Sequence, residues 1–202
     1  TNNNVGIAGV NWNVTLMAIK TNSGIHGDGY LSDVIEGIRY AADHGASVIN
    51  ISLSSPAPCN NVNVVGYQDV IDYALSKKVV IVTASGNGNT DARFSSPGSC
   101  SGVITVGSVD SRDTRASSSN WGSRVDISAP GIGILSTMPG DTYAFKDGTS
   151  MATPHVTGAV ALLLSVAPNL TPKQVKNCLV TSADPISPDK HIGSRLNVLK
   201  AL

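Results

Sequence analysis

The sequence predicts an α/β domain in which a mostly parallel β-sheet lies between helices. Three observations lead to it. The short runs Ser47-Val48-Ile49-Asn50-Ile51-Ser52, Val79-Val80-Ile81-Val82-Thr83-Ala84 and Val103-Ile104-Thr105-Val106-Gly107-Ser108-Val109 read as buried strands. Between them lie segments with helical spacing, and strand, crossover helix and strand make a βαβ unit with parallel strands. Charged residues make up only 14% and aromatic ones 4%, while Gly, Ala, Ser, Asn and Val are abundant, which suits buried strands and close helix contacts. At 202 residues the chain is one domain's worth, so residues 1–202 are treated as a single unit.

The elements follow in order. Residues 1–10, rich in Asn and Gly, form a loop-like start, and Val14-Thr15-Leu16-Met17-Ala18-Ile19-Lys20 is a strand candidate. The glycine-rich stretch 21–30 is a loop. Residues 31–44 carry apolar groups at Leu31, Val34, Ile35, Ile38, Ala41 and Ala42, a helix with Ser32 as cap and Gly45 as stop. His44 in its last turn is a dipole partner. After the strand at 47–52 and a loop at 56–65, residues 67–77 repeat the helical spacing through Val70, Ile71, Ala74 and Leu75. The strand at 79–84 ends in the turn Ser85-Gly86-Asn87-Gly88-Asn89, and Ser95-Ser96-Pro97-Gly98 is another turn, its X-Pro isomer open. Residues 112–124 form a polar loop before the strand Val125-Asp126-Ile127-Ser128-Ala129-Pro130-Gly131. Met138-Pro139-Gly140-Asp141 then joins two short strands as a hairpin. The run Ala159-Val160-Ala161-Leu162-Leu163-Leu164 belongs to a helix buried all round. Thr171 caps the next helix with Pro172 at its first position, and residues 195–202 close the chain.

Fourteen acidic and fourteen basic residues cancel, so nothing argues for nucleic acid or an anionic membrane as partner. The longest apolar run is too short to span a bilayer. No signal peptide opens the sequence, so any targeting segment lies outside it. The three cysteines, Cys59, Cys100 and Cys178, are an odd number and not a closed disulfide framework. No Cys/His cluster has zinc spacing.

Asp147-Gly148-Thr149-Ser150-Met151-Ala152-Thr153-Pro154-His155-Val156-Thr157-Gly158 is the stretch that carries chemistry. A serine at the start of a buried helix sits at the positive end of the macrodipole, beside unpaired N–H groups. That position suits a nucleophile next to an oxyanion site, and it equally suits a plain N-cap. A nucleophilic serine needs a base, and the base an orienting carboxylate. The available histidines are His26, His44, His155 and His191. Ser150, Asp184 and His191 occur in the chain order of an α/β-hydrolase, but Ala152 breaks the G-x-S-x-G elbow that this order requires.

Residues 148–158 resemble the nucleophile motif of the subtilisin-like serine proteases, the subtilases. Ala84-Ser85-Gly86-Asn87-Gly88 is similar to that family's oxyanion-hole segment. Ile49-Asn50-Ile51-Ser52-Leu53-Ser54-Ser55 is similar to its substrate-binding strand. The blocks stand in family order, and the resemblance runs over essentially the whole chain. It implies a subtilisin-like three-layer α/β fold and a secreted serine endopeptidase acting on peptide or protein substrates. Ser150 would be the nucleophile, with Asn87 and the Ser150 N–H as oxyanion donors. Gly27, Asp28 and Gly29 on one side, and Ser52, Leu53 and Ser54 on the other, would hold the peptide as added strands. Ala84, Ser85 and Gly86 would form a further wall of the pocket for the residue before the scissile bond, floored by residues 95–98. Where the family often has two glycines after the leucine, this chain has Ser54 and Ser55.

The resemblance further implies a disulfide between Cys59 and Cys100; the residues alone allow three reduced thiols, Cys178 being a core residue. It implies a structural Ca²⁺ held by the carbonyls of Thr1, Val5 and Ile7 and the Asn3 side chain, without the family's carboxylate ligand. The same residues also read as a polar turn. Family order places the catalytic Asp and His before the serine. The expectation is therefore an incomplete peptidase domain over 1–202, inactive alone, with an exposed apolar face. Its partners would be the missing N-terminal segment and an inhibitory propeptide. The other expectation is a catalytically inactive binding module or processed structural fragment with the same fold.

Overall fold

The computed structural model describes residues 2–22 and 29–202. The chain runs α1 (Leu31–Asp43), β1 (Val48–Ile51), α2 (Tyr67–Ser76), β2 (Val80–Ala84), β3 (Ile104–Val109), β4 (Ile127–Pro130), β5 (Ile134–Met138), β6 (Thr142–Lys146), α3 (Thr149–Val166), α4 (Pro172–Ser182), β7 (Ser194–Arg195) and α5 (Val198–Ala201). Among the described residues the main sheet has the order β1-β2-β3-β4-β7, every neighbouring pair parallel. β5 and β6 form a separate antiparallel hairpin.

The period of a strand divides the core into two sides. In β2, Val80 and Val82 join Ile104, Val106, Ile127 and Ala129 against Ala152, Val156, Val160 and Leu163 of α3 and Leu179 of α4. Ile81, with Ile51, turns the other way onto Val34 and Ile38 of α1 and Val70, Ile71 and Ala74 of α2. Helices, sheet and helices make three layers around the parallel sheet that the buried runs predict.

The helix ends show the local chemistry. Gly45 adopts φ +81° just past α1, and the Ala46 N–H reaches back to the Ala41 carbonyl at 3.0 Å, a Schellman stop. Thr171 makes a full capping box with Gln174 at the start of α4. Ser32 does not cap α1. The N-cap is Tyr30 without a side-chain bond, and the Ser32 hydroxyl turns to Asp33 instead.

Two further expectations are corrected. Residues 14–20 form no strand, because no ladder partner meets them among the described residues; Val14, Leu16 and Met17 are exposed, Leu16 by 86%. α3 is not buried all round: Ala152, Val156, Ala159, Val160 and Leu163 are buried against the sheet with Leu164 packed at their margin, while Ala161 and Leu162 are only half-buried. Its 18 residues are long and apolar enough to cross a membrane by length and composition, a property shared by core helices such as this one.

Cys59 and Cys100 are joined by a disulfide, and Cys178 is a half-buried free thiol packed against the α3 side of the core. The bridge ties the loop after β1 to the loop before β3 across a sequence separation of 41 residues. In the chain-entropy account such a closure stabilises by roughly 4 kcal/mol. The double substitution Cys59→Ala with Cys100→Ala should lower the unfolding free energy by about that amount in a denaturant melt. An unchanged midpoint would contradict it.

Candidate active site

β1 and β2 end together, Ile51 facing Thr83, so the segments that follow them leave the sheet at one carboxyl edge, where sites form in parallel sheets. α3 begins at the same edge. Its N-cap is Gly148, at φ +142°, not Ser150. A Cβ on residue 148 would lie 3.2 Å from Asn87 Nδ2, too tight for that amide to stay in place. Glycine is therefore needed on both conformational and steric grounds.

Asn87 is held by the helix it faces. Its Oδ1 accepts the Thr149 backbone N–H at 2.9 Å and the Thr149 hydroxyl at 3.0 Å. A backbone N–H can only donate, so the carbonyl oxygen must face Thr149 and the Nδ2 group must face away. Asn87 is exposed, and Nδ2 donates to no acceptor among the described residues. The Ser150 N–H, in the first turn of α3, is one of the helix's orphan donors and likewise has no acceptor there. Asn87 Nδ2 and the Ser150 N–H are thus two donors with no acceptor among the described residues, both at the positive end of α3, whose first turn also carries the Ser150 hydroxyl.

Ser150 and the end of β1 clasp each other. The Ser150 hydroxyl donates to the Ser52 carbonyl at 3.1 Å, and the Ser52 hydroxyl donates to the Ser150 carbonyl at 3.0 Å. Pro154 explains the second bond. It lies four residues on and has no N–H, so the Ser150 carbonyl loses its helical partner and Ser52 replaces it. Asn50 continues the chain, donating to Ser52 Oγ at 2.9 Å and accepting the Thr157 hydroxyl at 2.9 Å.

The predicted substrate residues separate into two kinds. Ser85 and Gly86 are buried, and their backbones are occupied: Ser85 N–H donates to Val106, and Gly86 N–H reaches Thr149 Oγ1 at 3.3 Å. The Ser85 carbonyl accepts from Asn120 Nδ2, the Gly86 carbonyl from the Asn120 N–H. Ala84 is buried in the core of β2. These three can wall a groove but cannot pair with a peptide. The Leu53 side chain packs into the α1 side of the core, whereas the backbone groups of Leu53 and Ser54 are unpaired among the described residues. Ser54 is exposed and its hydroxyl leans to 3.2 Å from the point where a Gly86 Cβ would lie. Ser96-Pro97 is cis and bridges to Ser55, closing the base between these segments. A Cβ on residue 29 would lie 2.5 Å from the Thr21 carbonyl oxygen and 2.6 Å from Asn22 Oδ1, while Gly27, Asp28 and His26 lie outside the described residues.

The remaining candidates part company with the site. His155 Nδ1 engages the Met151 carbonyl at 2.9 Å within α3. His44 engages the Tyr40 carbonyl at 2.8 Å and stacks on Tyr40. The hydrolase order Ser150, Asp184, His191 is not realised. Asp184 is bound by Lys200, Arg195 and Asn197, which together hold its carboxyl well below the usual range, at the β7–α5 end. Of the calcium candidates, Asn3, Val5 and Ile7 are exposed, and Asn3 Oδ1 accepts the Val5 N–H at 3.3 Å as an Asx turn. Thr1 lies outside the described residues. This donor set is neutral and already turned on itself. It does not fit a hard dication without carboxylate oxygens from elsewhere.

The sequence profile of the subtilase family matches residues 1–197. The chain belongs to the subtilase family. It is similar to the thermophilic serine proteinase of Bacillus sp. (strain AK1), 42% identical over 187 residues, 93% of this chain and 44% of that protein. It is 37% identical over 195 residues to Subtilisin Savinase of Lederbergia lenta, covering 96% of this chain and 70% of that protein. Among solved structures, a protease from Pseudoalteromonas arctica superposes with a TM-score of 0.90 at 31% identity, over 99% of this chain and 66% of that one. The three layers are thus the subtilisin-like fold that the motif implied. The chain spans about half the length of the first relatives it matches, 44% and 50%.

Four residues of this subtilase site escape a reading of motifs. Thr149 orients Asn87, Asn50 and Thr157 support Ser52, and Asn120 holds the loop that carries Asn87. Thr149 and Thr157 lie within the motif, but their hydroxyl partners are 62 and 107 residues away in sequence. Asn120 sits in a polar loop whose only local signal is its place before Trp121-Gly122.

Proposed function

We propose that this chain carries the nucleophile, the oxyanion donors and much of the substrate groove of a secreted serine endopeptidase. The observation that carries the reading is the pair of unpaired donors, Asn87 Nδ2 and the Ser150 N–H, beside the Ser150 hydroxyl at the start of α3. Ser150 Oγ attacks the scissile carbonyl carbon as its proton passes to a base. The carbonyl oxygen becomes an oxyanion and accepts the two hydrogen bonds that no other group among the described residues takes. Collapse breaks the C–N bond, the base returns the proton to the leaving amine, and an acyl-Ser150 ester remains. Water, activated by the same base, hydrolyses the ester and restores the serine. The peptide lies as an added strand along the unpaired backbone of Leu53 and Ser54, with Gly27, Asp28 and Gly29 on its other side. Ser52 positions Ser150, and Ala84, Ser85 and Gly86 wall the pocket.

The base and its carboxylate partner come from sequence outside residues 1–202. His44 and His155 are committed to backbone carbonyls, and Asp184 to basic partners. β1 pairs on one edge only among the described residues, and Val14, Leu16 and Met17 are exposed, two features that support a covering segment. That segment and an inhibitory propeptide are the proposed polypeptide partners, besides peptide or protein substrates. Secretion is part of the proposal and is supported by the disulfide, which persists in oxidising compartments. Calcium binding through Asn3, Val5, Ile7 and Thr1 needs added carboxylate ligands and enters no step of the reaction.

The test is complementation. Residues 1–202 alone should leave a chromogenic peptide anilide intact, and adding the sequence that supplies the base should restore hydrolysis. Robust turnover by residues 1–202 alone, lost on Ser150→Ala, would overturn the assignment of the base.

A further inference from the structure

We infer that Asn120 is a positioning residue for the oxyanion hole, acting through Asn87; this rests on the proposed role of Asn87 as an oxyanion donor. Asn120 is only 2% exposed, yet its amide uses all of its hydrogen-bonding capacity on one segment and its flank. Oδ1 accepts the Gly88 N–H at 3.0 Å, the Thr90 N–H at 3.0 Å and the Thr90 hydroxyl at 3.3 Å. Nδ2 donates to the Ser85 carbonyl at 2.8 Å and to Ser95 Oγ at 3.2 Å. Its own backbone N–H donates to the Gly86 carbonyl at 2.9 Å.

Ser85 and Gly86 are held on one side of Asn87, and Gly88 and Thr90 on the other, all by Asn120. The Asn89 N–H adds a bond to Ser118 at 2.8 Å in the same loop. Asn87 itself hydrogen-bonds to none of these groups; its side chain is held by Thr149 instead. Asn87 is therefore suspended between a loop whose backbone Asn120 fixes and a helix whose first residue fixes its oxygen. Gly86 shows how close the packing is: at φ +102°, a Cβ there would lie 2.5 Å from Asn120 Nδ2.

Only a primary amide meets this demand. Two backbone N–H groups require acceptors, and the Ser85 carbonyl requires a donor. Aspartate keeps the acceptors but sets a carboxylate oxygen against the Ser85 carbonyl. Serine keeps a donor but cannot span both sides. Either change lets the segment around Asn87 shift, and donor placement is what an oxyanion hole depends on.

The experiment uses the complete protein, residues 1–202 with the sequence supplying the base, and active sites counted by burst titration. Asn120→Asp and Asn120→Ser should each lower kcat per titrated site by between about 10-fold and 100-fold, with KM within about 2-fold. Combined with Asn87→Leu, neither should lower kcat further, because the group being positioned is gone. Unchanged kcat per titrated site in the variant that folds, or losses that multiply in the double variants, would overturn the inference. If Asn87→Leu alone leaves kcat unchanged, the oxyanion assignment itself fails, a separate outcome. Should Asn120→Asp not fold, Asn120→Ser and the single loss in Ser95→Ala, which removes one acceptor of Nδ2, carry the same comparison.

Discussion

Ser150→Ala in the complete protein should abolish peptide hydrolysis, with kcat falling by roughly 10⁶. That is the scale established for the nucleophile of subtilisin. The loss should fall on kcat, since the groove formed by Leu53, Ser54 and the residues around Gly86 is untouched. A rate of about 10³-fold over water should survive, carried by the oxyanion donors and binding. The fold should survive too. Ser150 is half-buried, and its hydroxyl makes one hydrogen bond, to Ser52, worth about 1 kcal/mol. Helix α3 is held by its buried face against β2, β3 and β4, not by this hydroxyl. Activity within about 10-fold of the parent enzyme would remove Ser150 from the chemistry, given that scale.

Asn87→Leu should lower kcat by roughly 10²–10³ with KM little changed, the loss recorded for the equivalent kind of donor in subtilisin. Leucine keeps the volume and removes the donor. It also removes the acceptor of the Thr149 N–H and hydroxyl, so a control is needed. Asn87→Asp supplies it: the carboxylate can still accept from Thr149, but it offers no hydrogen to an oxyanion. Both variants should lose kcat, and Asp should retain the stability of the α3 start better than Leu. Loss in Leu with full activity in Asp would show that Asn87 matters as a helix anchor rather than as a donor. Steady-state kinetics and thermal melts of the two variants decide between these.

Much of the fold is legible from residue order, for a physical reason. β2 and β3 are short runs buried on both faces, so their apolar pattern is continuous and unmistakable. Thr171-Pro172 and Gly45 are local devices whose partners lie within a few residues. The nucleophile motif is local as well. What does not show is what depends on distant partners. Residues 14–20 have a strand's composition, but a strand exists only in a ladder, and none meets them among the described residues. Ser32 is the obvious cap by type, yet the helix begins after Tyr30 without a side-chain bond. Ser150 is equally a cap by type. Gly148 takes that position, and the distant Asn87 leaves no room for a Cβ there. Asn120 is one asparagine among many in the sequence. Only the fold brings it against Ser85, Gly88 and Thr90.

Ser150 is, on this proposal, a nucleophile activated by a base from outside residues 1–202. Labelling with a serine-directed fluorophosphonate, followed by peptide mass mapping, tests it most directly. The complete protein should take a single adduct on Ser150, absent in Ser150→Ala, while residues 1–202 alone should label at no more than the background rate. An adduct on another serine with peptidase activity lost in step, or equal labelling of Ser150 with and without the added sequence, would contradict it.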